Sequence, residues 1–244
     1  MIEIVDLYKS FNGTAVLQGM NLVIPTGKIT VIIGPSGCGK TVLLRHIIGL
    51  WKPDRGKVML DKVNLSALNR FQLNEIRRRF GMLFQHAALF DSMNVYENVA
   101  FPLREHTKKS EREIQNIVVE KLSLVGLSGN EKKMPSDLSG GMRKRVGLAR
   151  AIALQPEIIL YDEPTTGLDP IMTEAIDNLI LEMQRKLSIT SVVISHDIPS
   201  AFRIADQISM VYKGKIIETG TPDVFRNSKK EEVQEFIRKG EGKG

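Results

Sequence analysis

Apolar positions recur along this chain with two different periods. Residues 2–7, 17–24, 57–60 and 80–84 are short apolar stretches set off by turn-forming groups such as Pro53-Asp54-Arg55-Gly56, the spacing of strands. Residues 29–33, 158–161 and 190–194 are almost continuously apolar, as strands become when both faces of a parallel sheet are covered. Residues 210–212 and 215–218 flank Gly214 and read as a hairpin. Residues 42–48 read as a helix behind the 29–33 strand. Between residues 86 and 155 the period becomes helical. Ile114, Ile117, Val118, Leu122 and Val125 share one face, and Ser110 with Glu113 forms a capping box at its head. The charged segment after Phe225 predicts one short helix through Phe236 and Ile237, then a frayed Gly/Lys end.

Apolar strands alternating with helices predict an α/β core with a mainly parallel sheet. The expected division is a core with an antiparallel β part over residues 1–85, a helical insertion over 86–155, a return to the core over 156–226 and a short charged tail over 227–244. Ligands of such sheets bind at the carboxyl ends of the strands.

The polar residues at those ends carry the chemistry. The 29–33 strand runs into Gly34-Pro35-Ser36-Gly37-Cys38-Gly39-Lys40-Thr41, and a helical segment follows from Val42. Strand, glycine-rich loop and helix make a phosphate-binding P-loop. Its glycines let successive N–H groups curl around an anion, and the helix N-terminus adds its dipole. Lys40 can reach the β- and γ-phosphates, and the Thr41 hydroxyl can hold Mg²⁺. The expectation is a bound nucleoside triphosphate. Residues 158–161 end in Asp162-Glu163-Pro164. Asp162 is placed to hold the Mg²⁺ shell, and Glu163 to orient or deprotonate a water facing the γ-phosphate. Ser139-Gly140-Gly141 at a helix start is a second anion site, or an ordinary N-cap and turn.

Composition narrows the class. Of 244 residues, 42% are hydrophobic, enough for a sizeable core. Cys38 is the single cysteine, so neither an intrachain disulfide nor a cysteine zinc site is expected, and a free thiol suits a reducing cytosol. The first residues lack a basic segment followed by an apolar one, so no signal peptide is expected. No window approaches the roughly 18 consecutive apolar residues of a membrane span. The net charge of +6 fits either ordinary solubilising charge or attraction to an anionic membrane.

Six elements occur in the order found in ATP-binding cassette (ABC) ATPases. They are the Walker A loop at 34–41, Gln85 of a Q-loop, the signature Leu138-Ser139-Gly140-Gly141-Met142, the Walker B strand at 160–163, a D-loop at Gly167-Leu168-Asp169, and a switch histidine, His196. The resemblance covers the chain to about residue 225. It implies a P-loop fold of ABC type and a head-to-tail homodimer, in which Walker A of one subunit and the signature of the other sandwich ATP and Mg²⁺. It implies further that Phe11 stacks on adenine, although a core aromatic at a strand end is the alternative. Gln85 would touch Mg²⁺ and the attacking water, His196 would contact the γ-phosphate, and Asp169 would cross the dimer interface. Val42 stands where many relatives have a hydroxyl for the α-phosphate, removing one hydrogen bond of about 1 kcal/mol. Met142 stands where the commonest signature has Gln.

The Leu-Ser-Gly-Gly-Met signature and the stretch 81–106 resemble the ATPases of MCE-type (Mla-like) phospholipid transporters. That resemblance implies a subunit on the cytoplasmic face of the inner membrane, a dimeric integral-membrane permease and an MCE-type lipid-binding protein as partners. Leu89, Phe90 and Met93 would receive the permease, or else form subdomain core. ABC proteins of translation or DNA repair carry tandem cassettes, coiled coils or zinc cysteines. One P-loop, no heptads and one cysteine argue against them, and no nucleic-acid partner is expected. An importer of amino acids or another small solute, and a non-transporting pair that regulates the cell wall, remain the alternatives.

Overall fold

The computed structural model describes residues 1–242, so the frayed end expected at 243–244 lies outside the described residues. In chain order the strands are Ile2–Phe11 (β1), Thr14–Ile24 (β2), Ile29–Ile33 (β3), Arg55–Leu60 (β4), Val63–Asn64 (β5), Phe80–Leu83 (β6), Ile158–Asp162 (β7), Thr190–Ile194 (β8), Gln207–Tyr212 (β9) and Lys215–Gly220 (β10). The helices are Lys40–Ile47 (α1), Arg70–Arg77 (α2), Val95–His106 (α3), Glu111–Leu124 (α4), Gly140–Ala151 (α5), Pro170–Leu187 (α6), Ile198–Ile204 (α7), Pro222–Arg226 (α8) and Glu231–Gly240 (α9).

Two sheets form. One is antiparallel, in the order β2-β1-β4-β5, and the other runs β10-β9-β3-β8-β7-β6. Within the second sheet β9, β3, β8, β7 and β6 are parallel, and β10 adds an antiparallel edge through the expected hairpin. The continuous apolar runs are explained by cover on both faces. Ile29, Val31, Ile33, Ile159, Tyr161 and Val193 pack against the helices, with Val146, Ile180 and Ile204 among their neighbours. The alternate positions Ile32, Leu160, Val192, Ile194 and Val211 face Leu43 and Ile47 of α1 and Met20, Ile24 and Val58 of the antiparallel sheet. Each fully buried aliphatic side chain contributes roughly 1.5–3 kcal/mol, so this double cover holds the sheet between its two layers.

Residues 86–157 contain helices and turns but no strand, as the helical period predicts. Ser110 caps α4 in a capping box with Glu113. The structure adds helices that the pattern reading did not anticipate, above all α6. Its buried Ile176, Leu179, Ile180 and Met183 follow the i, i+3, i+4, i+7 spacing and would have revealed it.

The register is what builds a site. Ile32 of β3 pairs with Ile194 of β8, Ile194 with Asp162 of β7, and Tyr161 of β7 with Leu83 of β6. Four parallel neighbours therefore end at one level. The residues at and just beyond these ends, 34–41, 85, 162–163 and 196, gather at the carboxyl ends of the strands.

Candidate active site

The P-loop adopts backbone geometry that its glycines permit. Gly34 has φ 148°, and a Cβ there would lie 2.2 Å from the Val211 carbonyl oxygen, so no side chain fits. Gly39 has φ 107°, and a Cβ there would meet Leu17 Cδ2 at 2.8 Å, which shows how closely β2 backs the loop. Lys40 is buried at 6% exposure. Its ammonium donates to the carbonyls of Gly34 at 2.7 Å and Pro35 at 2.9 Å, so the charge is held across the loop from which it arises. Cys38 Sγ lies 4.0 Å from Lys40 Nζ. Burial pushes the Cys38 thiol up from its ordinary value, and the Lys40 charge pulls it partly back.

Thr41 Oγ1 donates to Asp162 Oδ1 at 3.2 Å, joining the head of α1 to the end of β7. Burial raises the Asp162 carboxyl, with Glu163 adding to the rise and Thr41, Arg45 and Lys40 opposing it. Thr41 and Asp162 offer hard oxygen donors. Among the described residues no group of three or more His, Cys, Asp or Glu could cage a metal. A cation here would complete its shell with phosphate oxygens and water, the habit of Mg²⁺, so the donor set fits that ion.

Glu163 is the meeting point of the site. Its Oε2 accepts from Gln85 Nε2 at 3.1 Å and from Thr166 Oγ1 at 3.0 Å, and lies 3.5 Å from His196 Nδ1. Its own backbone is left-handed at φ 50°, an uncommon state for a non-glycine that costs of order 1–3 kcal/mol and needs support. Support comes from the Glu163 N–H, which donates to the Ile194 carbonyl at 3.0 Å, and from Lys144 Nζ, which donates to the Glu163 carbonyl at 3.2 Å. His196 has a side chain 55% exposed, open to whatever occupies the site.

The signature lies on another element. Ser139 is exposed and caps α5, accepting from the Met142 N–H at 3.3 Å. Gly141 is buried where a Cβ would meet Met172 Sδ at 2.8 Å, and Met142 packs against the core. Asp169 caps α6, accepting from the Met172 N–H at 2.9 Å. The structure thus forms two linked sets, Thr41 with Asp162, and Gln85 and His196 with Glu163, at the strand ends beside the loop that holds Lys40. Ser139 and Asp169 stand at helix heads outside both sets.

The motif-bearing part of this chain matches a family model. The family described as ABC transporter covers residues 17–166. The chain belongs to that family, as an ATP-binding cassette ATPase. It is 43% identical over 237 residues to the intermembrane phospholipid transport ATP-binding protein MlaF of Escherichia coli K12, covering 97% of this chain and 88% of that protein. It is 46% identical over 236 residues to the probable ribonucleotide transport ATP-binding protein mkl of Mycobacterium tuberculosis, covering 97% of this chain. The chain spans 66% of the length of that mycobacterial relative. Among solved structures, a dimeric post-hydrolysis cassette, MJ0796, bound to ADP and Pi superposes with TM-score 0.84 at 32% identity. That match covers 91% of this chain and 99% of the other. The cassette cbiO1 of Clostridium perfringens gives TM-score 0.86 at 31% identity over 97% of this chain and 94% of its own.

Two sequence expectations are refined by this placement. Phe11 is 37% exposed, so it is not core; its ring meets Trp51 edge-on at a centroid distance of 5.0 Å. Of the three docking candidates only Phe90, at 42%, is exposed. Leu89 leans on the hydrophobic core and Met93 is half-buried. Phe90 instead joins Phe71, Phe84 and Phe101 along a groove of about 860 Å³ between α2 and the helical segment. Sequence reasoning missed Thr166 and Lys144. Arg143-Lys144-Arg145 reads as a solvated cationic run, yet Lys144 is only 5% exposed.

Proposed function

We propose that this cassette works as a head-to-tail homodimer with ATP and Mg²⁺ and drives a dimeric membrane permease that carries phospholipid between inner and outer membranes. The observation that carries the catalytic part is the convergence of Gln85, Thr166 and His196 on one carboxylate oxygen of Glu163, beside the Thr41–Asp162 pair. In this reading Lys40 and the N–H groups of 34–41 bind the phosphates. Gln85 and His196 place a water against Glu163, which accepts its proton as it attacks the γ-phosphate. Mg²⁺, held by Thr41, Asp162 and Gln85, would neutralise charge developing on the phosphate oxygens. Ser139, Gly140, Gly141 and Met142 of the partner cassette close over the nucleotide, because the exposed head of α5 offers N–H groups to an anion. Asp169 crosses the same interface, and Phe11 stacks on adenine.

The phospholipid part rests on likeness to MlaF over nearly the whole length of both chains. Among the described residues no helix is long and apolar enough to cross a membrane; in this reading a separate permease supplies the path. The cassette then sits at the cytoplasmic face of the inner membrane, with an MCE-type lipid-binding protein in the same assembly. Phe90, exposed in an aromatic groove, is the anchor for the permease. The name of the mycobacterial relative favours a second reading, transport of ribonucleotides. Purification of the tagged chain in detergent separates the two. Co-purified permease with glycerophospholipid, and Phe90→Asp that releases the chain from membranes while its ATP binding persists, support the lipid reading. A complex without lipid that is stimulated by ribonucleotide would replace it.

A further inference from the structure

We propose that Lys144 is a positioning residue: from α5 it ties the backbone of the Gln85 loop to the backbone of Glu163 and so sets how the glutamine meets the carboxylate. The proposal rests on the roles given to Gln85 and Glu163 above. Lys144 Nζ donates to the carbonyl of Gln85 and, at 3.2 Å, to that of Glu163. The two carbonyls belong to segments 78 residues apart, whose side chains meet at 3.1 Å. An ammonium at 5% exposure is costly to bury, and here backbone oxygens compensate it. Burial draws the lysine down from its ordinary value, while the charges of Glu163 and Asp162 draw it back up.

Lys144 does not act in isolation on its helix. Residues 144, 147, 150 and 151 share one face of α5, and that face carries the strand and loop bearing Gln85. A Cβ on Gly147 would meet Leu83 Cδ1 at 2.8 Å and Ala87 Cβ at 3.2 Å, so the glycine admits the loop against the helix. Arg150 donates to the carbonyls of Ala87 at 2.6 Å and Ala88 at 2.8 Å. Gly81 passes so close to Ala151 that a Cβ would lie 2.4 Å from its carbonyl oxygen. Ala87 and Ala88 are left-handed at φ 59° and 46°, as is Glu163 at 50°, and such states persist where surroundings over-determine them. Lys144 reaches both strained stretches, bonding Glu163 itself and the residue two before Ala87. Its helix begins at the signature, so the head of α5 and the Gln85–Glu163 contact are linked through five residues of rigid helix.

The test separates positioning from packing. Lys144→Met keeps the stem and removes the donor, whereas Lys144→Gln keeps a donor without charge. In the full-length chain Lys144→Met should leave the affinity for a fluorescent ATP analogue within about twofold of wild type and lower kcat at saturating ATP by about tenfold or more. Lys144→Gln should recover most of that loss. In a Gln85→Ala background the same substitution should cost less than about twofold, since the amide it positions is gone. Without nucleotide, amide exchange at residues 84–88 should speed about tenfold while residues 146–149 keep their protection. Wild-type kcat in Lys144→Met, a loss that multiplies fully with Gln85→Ala, or a loss confined to ATP affinity would each overturn the proposal. If Lys144→Met does not fold, the exchange and double-substitution tests apply to Lys144→Ala, which also lacks the donor. Should Glu163→Gln keep its turnover, the reading of the site fails. Should Glu163→Gln lose it while Lys144→Met does not, only this inference fails.

Discussion

On the proposed role of Glu163, its replacement by glutamine removes the general base and its charge while keeping the shape of the side chain. The amide oxygen can take the place of Oε2, which accepts from Gln85 at 3.1 Å and Thr166 at 3.0 Å. The backbone bonds from Glu163 N–H to Ile194 and from Lys144 to the Glu163 carbonyl do not involve the side chain. The cost to stability should stay within about 1 kcal/mol, since no cavity forms and the buried Lys144 keeps its two carbonyl partners although it loses the charge of Glu163. Phosphate binding should persist, because Lys40 and the glycines of 34–41 are untouched. The chemical step is different. A positioned general base contributes roughly 10²–10⁴ in rate, or about 2.7–5.4 kcal/mol at 1.36 kcal/mol per tenfold. Single-turnover hydrolysis of radiolabelled ATP by Glu163→Gln should therefore slow by at least about 10², with Kd for ATP near wild type. Size exclusion should show an ATP-dependent dimer that accumulates because its nucleotide is not consumed. Turnover within about tenfold of wild type would refute the assignment, since that leaves less than about 1.4 kcal/mol for the base.

Two further outcomes follow from the P-loop and the signature. Cys38 alkylation should abolish ATPase activity and be blocked by MgATP. Because the folded thiol is raised by burial and the thiolate is the nucleophile, labelling should quicken about tenfold per pH unit and level off only above the free-cysteine value of about 8.5. A plateau below that value, or rapid labelling of ATP-saturated active protein, would contradict this. An equal mixture of Lys40→Ala and Ser139→Arg chains, each inactive alone, should regain activity, because each heterodimer holds one site with both intact halves. Proven heterodimers without activity would defeat this expectation, with an obligate requirement for two working sites as the competing explanation.

What was legible in the sequence shares one property: its cause is local. The runs at 29–33, 158–161 and 190–194 declare two-sided burial in their own composition, and the structure makes each of them a strand of the parallel core. Ser110 and Glu113 declare a helix start because both partners of the capping box lie within one turn. Motif spacing carried the P-loop and the carboxylate strand for the same reason. The illegible features depend on distant segments converging. Lys144 looks like one of three surface cations until the carbonyls of residues 85 and 163 arrive beside it. Leu89 and Phe90 are equally apolar neighbours, and only the packing of the core against the loop sends one inward and leaves the other in the groove. Helix α6 is an exception, since its apolar spacing was visible in the chain. The turn at 165–170 that precedes it reads as a loop motif, and the apolar spacing begins only behind that turn.

The carboxylate at the centre of the site is positioned by three loops, and their mutual placement is set away from the chemistry. Gln85 follows β6, Thr166 lies between β7 and α6, and His196 follows β8. Sheet register alone sets the strand ends, but it does not set loops that leave the sheet. Helix α5 restrains the first loop through Lys144 and Arg150. The other two are restrained where α6 meets α7. There Asp177, with a fully buried side chain, accepts from Ser200 Oγ at 2.7 Å and from Arg203 Nη1 at 2.8 Å. Burial pushes that carboxyl up, and Ser200 and Arg203 draw it back down, so the link is held by bonds that satisfy a buried acid. Asp169 caps α6 and Asp197, beside His196, caps α7. The loop that carries Asp169 and the loop that carries His196 therefore lead into helices joined side by side. A displacement of either helix head must be shared by the other or break a buried bond. That constraint explains how an exposed histidine can keep a defined distance to Glu163 without a buried ring of its own.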